Sequence, residues 1–234
     1  MKTLLKTLTG LVLTTSMAWA SDSVNIDVSV TTDAAACIPT LSNNGIVDFG
    51  KRSAASLSGT HFTQWGSRDI TLNIVCEAST AVAITARDSR PDSLAYGPDG
   101  NGNTGPEVPF QGQGYISNPD RLFGLGKTTE GKNIGSYAIV VDQDNVQAQD
   151  AGKAVGVSVV GASNTEGPWS LASPAAFSSG MNGYLSFARK NSTTLQPVTT
   201  VVVPLRVSAT IANGLVSGNN ITLDGLATIT LTYL

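Results

Sequence analysis

The sequence predicts an all-β sandwich, and three observations carry the prediction. First, Ala227, Ile229, Leu231 and Tyr233 alternate strictly with Thr228, Thr230 and Thr232, the two-residue period of a half-buried strand in residues that suit one. Second, the same alternation recurs at residues 24–31 and 70–76, and no amphipathic helix stands out anywhere. Third, the chain is rich in Gly, Thr, Ser and Val and only 13 % charged, a composition of short strands and many turns.

Taken in order, the chain opens on a segment outside the fold. Lys2 and Lys6 precede a short apolar run from Leu8 to Met17, and Ala18-Trp19-Ala20 is a small-x-small cleavage site. Residues 1–20 therefore read as a secretory signal peptide, too short in its apolar part to span a membrane. The exported chain is expected to begin near Ser21 and to keep about 214 residues, enough for one core. Loss of two lysines leaves 12 Lys+Arg against 17 Asp+Glu, a net charge of −5. An acidic chain without a basic cluster fits neither nucleic acid nor an anionic membrane, and no membrane insertion is expected.

Residues 21–36 form an N-terminal extension in which Val24, Ile26, Val28 and Val30 share one strand face. The two cysteines, Cys37 and Cys76, are an even pair in an exported protein and are expected to form a disulfide. Closing a loop of about 40 residues would stabilise the fold by roughly 4 kcal/mol. After Cys37, Asn44-Gly45 signals a turn and Ile46 to Phe49 a short strand. The stretch from Lys51 to Ser67 reads as loop, then residues 70–76 point Ile70, Leu72, Ile74 and Cys76 inward. Residues 82–88 continue as a strand.

The motif Cys37-x-Pro-Thr-Leu-Ser-x-x-Gly-x-Val-Asp-Phe-Gly, the strand Ile70-Thr-Leu-x-Ile-x-Cys76 and the run Ala86-Arg87-Asp88-Ser89-Arg90 resemble a family of exported bacterial proteins catalogued as domain of unknown function 1120. Its wider relatives resemble the subunits of chaperone–usher fimbriae. The likeness runs from about Val24 to Leu234, is densest at 37–90 and at the C-terminus, and includes Ile134-Gly135-Ser136-Tyr137 and the penultimate Tyr233.

Downstream, residues 91–133 are dense in Gly, Pro and Asn and read as a long surface loop or several short hairpins. Strands are expected at 135–142 (Tyr137, Ile139 and Val141 on one face), at 154–160, at 183–188 and at 198–211. Pro204 inside the last of these implies an edge position, a bulge or a break. The chain closes on residues 227–234, and a strand that stops on an apolar residue, Leu234, is expected to have a partner there.

Catalysis has little support. His61 is the only histidine, in a polar loop; there is no Gly-x-Ser-x-Gly and no phosphate loop. Two cysteines and one histidine do not make a zinc site. The run from Asp99 to Asn103 begins like a calcium loop, then places Thr104 where a glycine is needed and Phe110 where a bidentate glutamate is needed. Arg87, Asp88, Arg90 and Asp92 read as solvated charges or ordinary ion pairs, and no carboxylate pair is singled out for glycoside hydrolysis. Asn191-Ser192-Thr193 is a short sequon match. Trp65, Trp169 and Tyr115 fit a core as well as a sugar-binding surface. No catalytic residue, metal or cofactor is expected.

What the resemblance implies is a structural subunit. Residues 37–234 would form an immunoglobulin-like (pilin) sandwich lacking its final strand, with a long Gly/Pro-rich insertion. The partners implied are a periplasmic chaperone, an outer-membrane usher and other fimbrial subunits. A chaperone strand would pair beside Ala227, Ile229, Leu231 and Tyr233 and hold the Leu234 carboxylate. The donor strand carrying Val24, Ile26, Val28 and Val30 of the next subunit would then replace it. The implied location is the periplasm and then a cell-surface fimbria serving adhesion or biofilm. Length beyond a typical major pilin, and Ile221 where the wider family carries a glycine (Gly225 is the nearest), point to a minor or adaptor subunit. The alternative is a self-contained secreted or surface β-sandwich that binds carbohydrate or host protein.

Overall fold

Two antiparallel sheets face each other across a core built from the alternating residues just described. The computed structural model describes residues 36–50, 56–97, 108–109, 115–215 and 221–234. The expected signal peptide, the strand carrying Val24, Ile26, Val28 and Val30, and the run from Asp99 to Asn103 lie outside the described residues.

The first sheet runs β1 (Cys37–Leu41), β2 (Thr63–Thr80), β13 (Val198–Ile211), β7 (Gly135–Val141) and β6 (Phe123–Gly124). Further along β13, β8 (Gln147–Asp150) takes the place of β7 and carries β9 (Lys153–Val155). The second sheet runs β11 (Ser170–Leu171), β10 (Val157–Ala162), β12 (Tyr184–Arg189), β3 (Val82–Asp88) and β14 (Ala227–Tyr233). A small separate hairpin joins β4 (Val108–Pro109) to β5 (Tyr115–Ile116). The molecule is thus an all-β sandwich.

Alternation determines which side chains enter the core. On β2, Ile70, Leu72, Ile74 and Cys76 are buried while Val75 between them is exposed. Across the gap, Ile84 on β3 and Phe187 on β12 are buried from the second sheet. The Cys37–Cys76 disulfide is formed, at directly opposed positions of β1 and β2.

Four expectations need correction or refinement. Residues 46–49 belong to no strand. β2 begins at Thr63, inside the stretch read as loop, because its pairing to β13 continues there: Arg68 lies opposite Val207 and Thr63 opposite Ile211. Pro204 sits in a strand flanked on both sides, opposite Thr71 of β2, at the point where the partner changes from β8 (facing 200–202) to β7 (facing 205–211). No ladder donor is required at that break, which is why proline is tolerated there. Finally, the Gly/Pro-rich stretch, expected as surface loop or short hairpins, contains the β4–β5 hairpin and also buries part of itself. Ile116 and Leu122 bury themselves against Ala138, Val140 and Ala176 on the outer face of the first sheet, so β7 is buried on both faces.

Candidate functional site: a groove between two strand edges

A turn explains where the site lies. After Leu41, Asn43 (φ 51°), Asn44 (φ 51°) and Gly45 (φ 78°) adopt the left-handed conformation, which asparagine and glycine accept more readily than other residues. The chain leaves the sheet there, so β1 covers β2 only from Leu72 to Cys76. Beyond it the Thr71 N–H donates to Ser42 Oγ at 2.9 Å.

On the opposite sheet, β14 pairs with β3 through all seven residues, from Ala227 opposite Asp88 to Tyr233 opposite Val82. Its outer edge has no strand partner among the described residues, and neither has the outer edge of β1. Between these two edges an apolar cavity of about 450 Å³ opens. Ile70, Tyr137, Ile139, Leu205 and Val207 of the first sheet form its floor. Leu41, Val47 and Phe49 form one wall, Ala227 and Ile229 the other, and residues 223–226 close the far end.

The groove has two unlike halves. At the Cys37 end, the Cys37 N–H donates to Tyr233 Oη at 2.8 Å, tying the end of β14 to the start of β1. At the Leu41 end, the cavity separates the strands. Its wall there is held by a side chain: Arg68 donates from Nε to the Asp48 carbonyl (3.0 Å) and from Nη2 to the Phe49 carbonyl (3.4 Å). The guanidinium carbon lies 5.6 Å from the centre of the Phe49 ring, a cation–π arrangement.

Tyr137 is the buried polar residue of the floor. Its ring stacks on Phe123 with centroids 5.2 Å apart, and a Cβ added to Gly225 would stand 2.6 Å from its Cε1, so the crossing segment needs glycine at that position. Burial, helped by the charge of Asp88 and opposed by Arg90, raises the Tyr137 phenol well above its ordinary value. Asp88 is itself buried, and its carboxylate accepts from the Arg90 and Gly124 N–H groups at 2.8 Å each. Arg90 is ion-paired with Asp224.

Of the C-terminal residues singled out in the sequence, Ala227 and Ile229 line the cavity, and Leu231 packs half-buried against the core. Tyr233 closes the other end, and Leu234 is exposed, its N–H bonded to the Ala81 carbonyl. The floor and the Arg68–Phe49 wall had no signal in the sequence beyond alternation, because which inward residues stay uncovered depends on where β1 stops. Among the weaker candidates, Trp65 is a core residue, Tyr115 is exposed, and the His61 N–H donates to Ser58 Oγ. Among the described residues no cluster of three or more His, Cys, Asp or Glu side chains could hold a metal, and no helix is long and apolar enough to cross a membrane.

A family described as "Protein of unknown function (DUF1120)" matches residues 26–138. The chain is 45 % identical over 221 residues to "Uncharacterized protein YhcF" of Escherichia coli strain K12, covering 93 % of both chains. It is 29 % identical over 240 residues to "Protein GltF" of the same strain, covering 93 % of this chain and 91 % of the other.

Proposed function

The chain belongs to the family described as "Protein of unknown function (DUF1120)", and from its groove we propose that it is a structural subunit of a surface fibre, assembled by strand donation between copies. The single observation that carries the proposal is the apolar cavity between two strand edges that no described strand occupies. Strand addition to such an edge draws affinity from main-chain hydrogen bonds and specificity from alternate side chains. An apolar edge left bare is an aggregation hazard, so a lasting occupant is expected.

The sequence of residues 24–30 alternates as a matching strand would: seven residues, the length of β14, with Val24, Ile26, Val28 and Val30 at every second position. Burying four such side chains, which requires the tied Cys37–Tyr233 end to open as well, contributes roughly 6–12 kcal/mol as an upper bound. Because β1 and β14 run in opposite directions, a strand between them is antiparallel to one and parallel to the other. β14 offers seven residues against five for β1, and antiparallel pairing is the stronger kind; the incoming strand therefore runs antiparallel to β14. Donated by a second copy, it makes a head-to-tail contact that repeats into a filament. On this reading residues 1–20 direct export, a periplasmic chaperone covers the same groove beforehand, and an outer-membrane usher exchanges it for the donor strand.

The test compares two forms of the exported chain in the periplasm without added chaperone. One is native; the other lacks residues 21–31 and carries them after Leu234 on a flexible linker, where they fold back antiparallel to β14. The native form should be degraded or should polymerise, and the permuted form should be a stable monomer. If the native form is itself a stable monomer and moving the strand only weakens it, the strand-accepting reading fails and a self-contained binding module takes its place.

A further inference from the structure

The floor of the groove is apolar except at one point, although Asn44 and Asp224 stand on its rim. Tyr137 is only 6 % exposed, yet its hydroxyl has no hydrogen-bond partner among the described residues. Its oxygen is not sealed from solvent as Thr85 Oγ1 is, and the residue lines the cavity floor. The hydroxyl therefore faces the open space of the groove. Phe123 stacks on the ring and the Gly225 backbone lies close to its Cε1, so the hydroxyl has little freedom to swing away to a partner elsewhere.

A buried hydroxyl is tolerated when water or another group satisfies it, and costly when an apolar group replaces that water. We infer that Tyr137 is a specificity-determining residue of the groove, donating a hydrogen bond from Oη to a main-chain carbonyl or side-chain oxygen of the incoming strand at the Ala227 end. The raised phenol keeps its proton throughout the neutral range, which makes it a donor. With the strand antiparallel to β14, the oxygens facing that end come from the stretch after Val30, where Thr31, Thr32 and Asp33 follow. The floor thus rewards a strand that is apolar along its length and oxygen-bearing at this end. A uniformly apolar strand would leave the hydroxyl unpaired.

This inference rests on the strand-accepting reading, and the experiment separates the two. A fluorescent peptide of residues 21–35 is added in excess while the full exported chain, or its Tyr137→Phe variant, is refolded at a dilution where copies do not polymerise, with binding followed by anisotropy and thermal unfolding recorded at the same dilution without peptide. The wild type should bind, the variant should bind roughly 2- to 12-fold more weakly, and the two unfolding midpoints should coincide, since the variant keeps the ring and loses only an unpartnered hydroxyl. Equal affinities would overturn the inference while leaving the strand-accepting reading intact. A lower midpoint for Tyr137→Phe would also overturn it, because the hydroxyl would then have a structural partner. No binding to the wild type would remove the strand-accepting reading and this inference together.

Discussion

The sandwich has two seams where one sheet meets the other, and they are closed by different means. At one, residues 175–181 cross between the sheets and bond to both. Phe177 N–H donates to the Ile139 carbonyl (2.9 Å), and Val141 N–H to that of Ala175 (2.9 Å), on the β7 side. On the β3 side, Asp88 N–H donates to the Ser179 carbonyl (2.8 Å) and Met181 N–H to that of Ala86 (3.2 Å). At the other seam, β1 and β14 share the Cys37–Tyr233 bond at one end and a cavity at the other. The chain therefore bridges the two sheets with its own backbone along the first seam, and at the second only past the end of the groove, where the Asp224 N–H donates to the Leu125 carbonyl and the Ser89 N–H to that of Leu226. Openness at the β1–β14 seam is a local property, which is what a site for a partner strand requires.

The largest test of that contrast removes one large side chain from each seam. Phe177 is fully buried in the bridged seam, whereas Ile229 is half-buried beside the cavity. Phe177→Ala should destabilise by about 3–5 kcal/mol, and Ile229→Ala by only about 1–2, since much of its surface is already uncovered. Urea unfolding of both variants decides the matter; equal losses would mean that the two seams are packed alike.

A smaller effect is expected from Tyr233→Phe, which deletes the acceptor of the Cys37 N–H and leaves the ring. Loss of one such bond costs about 0.5–1.5 kcal/mol. The more specific readout is hydrogen exchange: the Cys37 amide should exchange faster in the variant while amides of β2 in the bridged part of the sheet keep their protection. An unchanged Cys37 amide would mean that the narrow half of the groove is held shut by packing alone.

How much of this was legible beforehand follows from the range of each interaction. β14 lies at the residues where the alternation of Ala227, Ile229, Leu231 and Tyr233 placed it, and β3 and β7 likewise, because a two-residue period is a local signal. The disulfide was legible from the cysteine pair. Residues 46–49 misled: Val47 and Phe49 alternate with Ile46 and Asp48 like a strand, but three left-handed residues carry the chain off the sheet, and the Arg68 side chain holds it instead of a ladder. The second small core was illegible because Ile116 and Leu122 lie in a Gly/Pro-rich stretch, where neither period shows, and meet Val140 through long-range packing. The groove was anticipated only through family resemblance; its floor emerges from five residues on three strands whose joint exposure no local pattern records.

The mildest expected effect concerns Tyr137 and appears only in alkali. Its phenol is raised above the ordinary value of 10.0, with burial as the main cause. The sign follows from linkage. Below pH 10 the phenol is protonated in both the folded and unfolded chains, and its contribution is fully present. Above pH 10 the unfolded chain releases that proton while the folded chain retains it, so stability drains as pH rises towards the folded value. The melting temperature of the wild type should therefore fall more steeply between pH 10 and 11 than that of Tyr137→Phe, with the two curves coinciding at neutral pH. Absorbance at 295 nm gives an independent reading: of the five tyrosines, one should ionise late in the wild type, and that step should be missing from the variant. Addition of the strand peptide should delay the step further, because an occupant that accepts the Oη proton and excludes water penalises the charged form more than the empty groove does. A step that the peptide leaves in place would separate the two seams by packing alone, without the polar contact assigned to Tyr137.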